Sequence, residues 1–201
     1  MRLRDLLAWL DRRPVIVALA GPNAAGKTTF FSAHLRQAGL RFVNADTLTG
    51  ELDLDPYAGA RLADALRREL LAQKESFIFE TVFSDPVGDK IRFLKEAEDA
   101  GYTVLLCCIG IESVEMSEQR VCMRVSQGGH DVPTEKLAAR LPRTIGNLEA
   151  ALRELPHVMV FDNSDLDRPY RLAAVFENGE LVRKADTIPE WLAPLLRGGQ
   201  E

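Results

Sequence analysis

Cysteine is scarce, with three in 201 residues: Cys107, Cys108 and Cys122. They match neither a disulfide framework nor the paired spacing of a zinc site. The adjacent pair sits in an apolar run and reads as small buried hydrophobes, as expected in a reducing cytoplasm. Long apolar segments are missing too. The uninterrupted run near the start, Val15 to Ala20, is far shorter than the ~20 residues needed to cross a bilayer, and it leads into a glycine loop rather than a cleavage site. No membrane partner is expected. Basic clusters are also wanting: 25 Lys and Arg against 30 Asp and Glu leave a formal charge of -5, which disfavours nucleic acid as a partner. There is no internal repeat and no low-complexity segment.

What remains is ordinary globular composition, 46% hydrophobic and 27% charged, enough for one domain over residues 1–201 with a proper core. Short apolar strands alternate with amphipathic helices. VIVALA, RFVNAD, SFIFETVFS, YTVLLCCIGI and HVMVFDNS read as strands. Residues 4–10, 27–37, 57–74, 89–100, 113–124 and 135–155 read as helices, the last kinked or split at Pro142. Such alternation implies an α/β fold, a three-layer α/β/α sandwich on a mostly parallel sheet. A hairpin about Asn178-Gly179 and a closing helix are expected over about 172–197.

The strand VIVALA runs into GPNAAGKTTF, which fits G-x-x-x-x-G-K-[ST] between a buried strand and a helix. In that context Gly21, Pro22, Asn23, Ala24, Ala25 and Gly26 form a loop whose N–H groups face phosphate oxygens. Lys27 reaches the β/γ-phosphates, Thr28 offers a hydroxyl to Mg²⁺, and Thr29 continues the site. This is a P-loop NTPase signature. The chain has no N-K-x-D segment to read guanine, and VLLCCIGI lacks the terminal acid of a motor ATPase. A kinase needs an acceptor-side carboxylate, metal support and arginines over the transferring group.

Asp46, after the second strand, emerges at the carboxyl edge where such sheets bind ligands. It fits a general base and fits a helix cap equally well. Glu80 ends an apolar strand, where an unpaired carboxylate is costly. With Thr81 and Ser84 it is a candidate acceptor-binding group, or the holder of a metal-bound water. Arg120 and Arg124 fall one turn apart on one helix, and Arg140 and Arg143 share a face of the next. Their guanidinium forks suit charge spread over phosphoryl oxygens, and the Gly-Gly-His loop between the helices would let residues 120–148 close as a helical lid. A solvated charged face is the plainer alternative.

GPNAAGKTTF, FVNAD, FIFET with Ser84, the RV-x-x-RV-x-x-GGHDVP segment with Arg140, and FDNS, taken in this order, resemble the zeta-toxin-like P-loop kinases from about Val15 to Ser164. That resemblance implies ATP- and Mg²⁺-dependent phosphorylation of a hydroxyl, UDP-N-acetylglucosamine being the acceptor of the zeta toxins. It implies Lys27 as the phosphate-binding lysine, Asp46 as the base, and Arg124 and Arg140 as catalytic phosphate clamps. Glu80 and Thr81 fall where the family contacts its acceptor, with Asp46, Ser84, Arg120 and Arg143 on the same substrate side. Gln127 stands where many relatives carry a basic residue. The expected partners are a small-molecule hydroxyl acceptor (a UDP-sugar, sugar or nucleoside) and, if the chain is a toxin component, an antitoxin protein. A polynucleotide hydroxyl kinase and an ATP-dependent binding module are the competing readings.

Overall fold

The computed structural model describes residues 9–126, 128 and 132–197. Seven strands form one sheet in the order β2-β3-β1-β4-β5-β6-β7. They are β1 (Val15–Ala20), β2 (Arg41–Val43), β3 (Phe77–Thr81), β4 (Thr103–Gly110), β5 (His157–Asp162), β6 (Arg171–Glu177) and β7 (Glu180–Lys184). The first five pair in parallel, and β6 and β7 add an antiparallel edge. The hairpin turns at Asn178 and Gly179, both with positive φ (50° and 84°), as a two-residue turn between twisted strands requires.

The apolar runs are strands buried on both faces. In β1, Ile16, Ala18 and Ala20 join one hydrophobic layer, while Val15, Val17 and Leu19 join the other. The first layer receives α3 (Pro56–Ala72), α4 (Asp89–Asp99) and the second half of α6 (Thr134–Glu154). The second receives the helix after the loop, α1 (Lys27–Phe30), together with Trp9 and Leu10, and Met116 from α5 (Val114–Ser126). The chain is therefore the α/β/α sandwich its alternation implies.

The structure refines several local expectations. The helix expected over 27–37 changes pitch, from α1 to a π turn at Phe31–Leu35 and a 3₁₀ turn at Arg36–Ala38. A short helix that periodicity does not reveal, α2 (Ala45–Glu51), follows β2. Helix α6 is neither split nor ended by Pro142, which lies inside it. From Thr144 onward α6 is anchored: Thr144 Oγ1 donates to Val82 O (2.9 Å), and Asn147 Nδ2 donates to Phe83 O (3.0 Å) and Asp85 O (2.9 Å). The closing helix is short, α7 (Ala193–Arg197). The first part of the N-terminal helix, residues 4–8, and Gln127, Gly129 and His130 of the lid loop lie outside the described residues.

Candidate active site

The loop Gly21–Gly26 leaves β1 at the carboxyl edge of the sheet. Two of its glycines are required by space as well as by backbone conformation. Gly21 has φ 142°, and a Cβ there would overlap the Ile109 carbonyl of β4; Gly26 has φ 91°, and a Cβ there would lie 2.8 Å from both Asn163 Nδ2 and Tyr170 Oη. The loop is braced from behind by the segment after β5. Asn163 Nδ2 donates to Ala25 O (2.8 Å), and Tyr170 Oη donates to Gly26 O (3.0 Å). Helix α5 adds a third brace, Ser117 Oγ to Asn23 O (2.8 Å).

Lys27 is 5% exposed. Its ammonium donates to Gly21 O (2.9 Å) and Pro22 O (2.8 Å) and stands 3.8 Å from Glu80 Oε1. Burial pushes its pKa below the ordinary lysine value, while the charges of Glu80 and then Asp46 pull it back up. Glu80, in β3 opposite Leu19 of β1, takes two further donors on Oε2: Thr28 Oγ1 at 2.7 Å and Asn44 Nδ2 at 2.8 Å. A carboxylate at a strand end thus has two neutral hydrogen-bond donors and an ammonium beside it, as its partial burial demands.

Asn44, not Asp46, caps α2: its side-chain oxygen accepts from Asp46 N (2.8 Å) and Thr47 N (3.2 Å). Asp46 lies in the first turn, where the helix dipole favours a carboxylate. With the cap supplied by its neighbour, the Asp46 carboxylate is left to face the site. It lines two adjoining cavities. The first, about 250 Å³, is walled by Asn23, Ala24, Gly26, Lys27, Thr28 and Thr29 and by Arg120 and Arg124 of α5. The second, about 180 Å³, is lined on its far side by Ala60, Ala63 and Arg67 of α3, Thr81 of β3, and Lys90 of α4. Asp46, Glu80 and Val82 belong to both.

The expected residues divide accordingly. The loop, Lys27, Thr28, Asp46, Glu80 and Arg124 come together. Arg140 also reaches the loop, its Nη1 donating to Asn23 Oδ1 over 3.2 Å. Arg120 sits on the phosphate-loop cavity rather than the second one, and its Nη2 donates to Asn163 O (2.8 Å). Thr81 lines the second cavity while its hydroxyl accepts from Phe83 N (3.0 Å). Ser84 lines neither cavity. Arg143 lines neither as well; it is exposed and donates to Ala139 O of its own helix (3.0 Å). Arg67, Lys90 and Tyr170 are unexpected at the site; Asn44 and Asn163 fall within the FVNAD and FDNS segments, which by themselves assign them no role. Of these, Asn44, just after β2 and two residues before Asp46, carries a local signal, that of a cap.

No cluster of three or more His, Cys, Asp or Glu able to hold a metal alone exists among the described residues. Mg²⁺ needs no such cluster, because it keeps several waters and is held by one or two protein groups plus substrate phosphates. The Thr28 hydroxyl and Glu80 carboxylate, 2.7 Å apart beside the loop, are a donor set of that kind.

No curated protein matches this chain. Among solved structures, the crystal structure of AvrRxo1-ORF1:AvrRxo1-ORF2 with sulphate ions aligns with a TM-score of 0.70 at 18% identity, covering 99% of this chain and 72% of that one. The same complex with ATP aligns at 0.68, with 18% identity and the same coverage. The PezAT chromosomal toxin-antitoxin system of Streptococcus pneumoniae aligns at 0.60 with 15% identity, over 98% of this chain and 91% of that one. At these identities the likeness is one of fold alone. The family model described as "Zeta toxin" matches residues 56–173, which include Glu80, Arg120, Arg124 and Arg140. Since the match spans more than half the chain, the protein belongs to the zeta toxin family.

Proposed function

We propose that the protein is an ATP- and Mg²⁺-dependent kinase that transfers the γ-phosphoryl group to a hydroxyl of a small-molecule acceptor. The observation that carries this reading is the shared wall: Asp46 and Glu80 line both the phosphate-loop cavity and the second cavity. A donor and an acceptor placed on either side would meet at a carboxylate. Family membership supports phosphoryl transfer, and the ATP complex of AvrRxo1-ORF1:-ORF2 supports ATP as the donor.

In this mechanism Asp46 accepts the proton of the acceptor hydroxyl as its oxygen bonds to the γ-phosphorus. The bond from that phosphorus to the β–γ bridging oxygen breaks, and ADP leaves with the bridging oxygen. Lys27 exchanges the carbonyls of Gly21 and Pro22 for phosphate oxygens. Arg124 and Arg140 close over the transferring group, where guanidinium charge is worth most in a water-excluded site. Bound Mg²⁺ would neutralise charge on the β- and γ-phosphates. Thr28 and Glu80 are the residues that would hold it.

The acceptor is a UDP-sugar, a sugar or a nucleoside, and the enzyme works in a reducing cytoplasm, where Cys107, Cys108 and Cys122 remain free thiols. No helix among the described residues is long and apolar enough to cross a membrane. A polynucleotide acceptor would need a basic channel, which a charge of -5 does not favour. A toxin role with a cognate antitoxin is the second reading, favoured by family membership and by the toxin-antitoxin system among the similar structures.

The test is to incubate the protein with Mg-ATP and UDP-N-acetylglucosamine, sugars and nucleosides, and to seek a phosphate adduct by mass spectrometry. Lys27→Ala serves as the control. ADP release with no adduct on any acceptor would count against the kinase and favour an ATP-dependent binding module.

A further inference from the structure

Away from the shared wall, the second cavity carries Arg67 of α3 and Lys90 of α4. The Arg67 side chain is 5% exposed and packs against two rings, its guanidinium carbon 5.0 Å from the centroid of Phe79 and 5.9 Å from that of Phe93. One arm, Nη2, pairs with Asp64. Nε is buried with no hydrogen-bond partner among the described residues. Asp64 is a poor counter-ion for this site, because it is shared: Arg68 approaches it at 3.7 Å and Lys90 at 3.6 Å. Arg68 has a second partner in Glu96 (3.6 Å), whereas Arg67 and Lys90 are left with one half-exposed carboxylate between them.

Holding a guanidinium in the interior is costly unless its donors are met. A purely structural arginine here would be expected to satisfy Nε, and an apolar residue packed beside Phe79 and Phe93 would carry no electrostatic cost. We propose that Arg67 and Lys90 form an anion-reading pole of the second cavity. The phosphoryl acceptor then carries a phosphate or carboxylate group in addition to its reacting hydroxyl. This rests on the kinase reading above. The anion seats on Arg67 and Lys90, and the hydroxyl is thereby presented to Asp46 on the opposite wall. The cavity, at about 180 Å³, is below the roughly 300–1,000 Å³ of pockets that enclose a whole drug-sized ligand, so this pole takes the charged group of the acceptor rather than the whole molecule, and it favours the anion-bearing members of the acceptor classes named above.

Amide NMR of the full chain reads the two cavities separately. The protein is titrated with inorganic phosphate, acetate and glycerol at constant ionic strength, and then with Mg-ATP. Phosphate is expected to shift the amides of Ala60, Ala63 and Lys90 saturably. Acetate doing the same extends the anion class to carboxylates, and silence with acetate narrows it to phosphates. Glycerol should leave these amides unmoved. Arg67→Met and Lys90→Gln should each weaken the response at least tenfold while the Gly21–Thr29 amides keep theirs. Lys90 is partly exposed, so Lys90→Gln carries the test even if Arg67→Met does not fold. The proposal is overturned if neither anion moves the α3 and α4 amides, if glycerol moves them equally, or if Lys90→Gln leaves the response intact. If Mg-ATP fails to shift the Gly21–Thr29 amides, the kinase reading falls while the anion pole stands on its own set of signals.

Discussion

The Asn44 side chain does two things at once: its oxygen caps α2 at Asp46 N (2.8 Å), and its amide nitrogen donates to Glu80 Oε2 (2.8 Å). One side chain thus ties the helix bearing the expected base to the strand bearing the expected metal-side acid. Asn44→Ala should cost about 1 kcal/mol for the cap, and a further ~1–3 kcal/mol if Glu80 is left short of a donor. Chemical denaturation would measure it. A midpoint equal to wild type would show that neither bond matters to stability.

Asp46→Asn keeps the shape of the shared wall and removes its base. Phosphoryl transfer should fall by about 10²–10⁴, with ATP affinity within threefold of wild type. Adduct formation and titration of a fluorescent ATP analogue separate the two effects, and undiminished transfer would remove Asp46 from the mechanism.

Thr28→Val and Glu80→Gln should leave the fold intact but raise the Mg²⁺ concentration for half-maximal activity, by about 10–100-fold if these residues support the metal and its waters. An Mg²⁺ titration of turnover decides this. A fall in maximal rate with no change in the midpoint would move Glu80 to the acceptor side.

Gly26→Ala should fail for two reasons that add. Its φ of 91° is strained for any side chain, at about 1–3 kcal/mol, and the new methyl would collide with the two groups that brace the loop, Asn163 Nδ2 and Tyr170 Oη. Tyr170→Phe removes one of those braces without strain and should cost only about 0.5–1.5 kcal/mol. Thermal unfolding of the two variants, with and without ATP, should rank them in that order. Equal effects would mean that the braces alone matter.

The His157 ring packs against Trp9, tilted by 46° with centroids 3.9 Å apart, and burial lowers its pKa below the ordinary 6.5, with Glu177 opposing that shift and Arg12 adding to it. The unfolded chain therefore takes up the proton first as pH falls. The stability this imidazole contributes is complete above about pH 6.5, and it is lost as pH drops from there to the lower folded value. His34 is shifted the same way by burial. His157→Phe keeps a ring on Trp9 and should flatten the fall of the urea midpoint between pH 7.5 and 5.5. A slope identical to wild type would assign that pH dependence elsewhere.

Features governed by residues next to one another in the chain were legible without coordinates. Val15–Ala20 is buried throughout, as an uninterrupted apolar run between turn signals suggests, and the loop after it follows from glycines whose positive φ values are local needs. The Asn178-Gly179 turn is of the same kind. Helix α2 escaped notice because its seven residues, ADTLTGE, have no apolar period. The change of pitch after Phe30 escaped because the same residues are compatible with an α-helix.

Residue chemistry and spacing determined the strand-helix alternation and the phosphate-loop signature, and marked Lys27, Thr28, Asp46 and Glu80 as candidates, since each depends on backbone geometry within a few positions. Which groups stand together was decided by tertiary structure. Asn163 braces Ala25 from 138 residues away, Arg140 reaches Asn23 from 117, and Asn44 reaches Glu80 from 36. Arg143 turns back on its own helix, although its spacing from Arg140 looks equally suited to the site. Arg67, one charge among many on an amphipathic helix, is buried only because α3 packs against Phe79 and Phe93. A side chain's partner across the sheet is set by how layers pack, and that information is spread over the whole chain rather than written beside the residue.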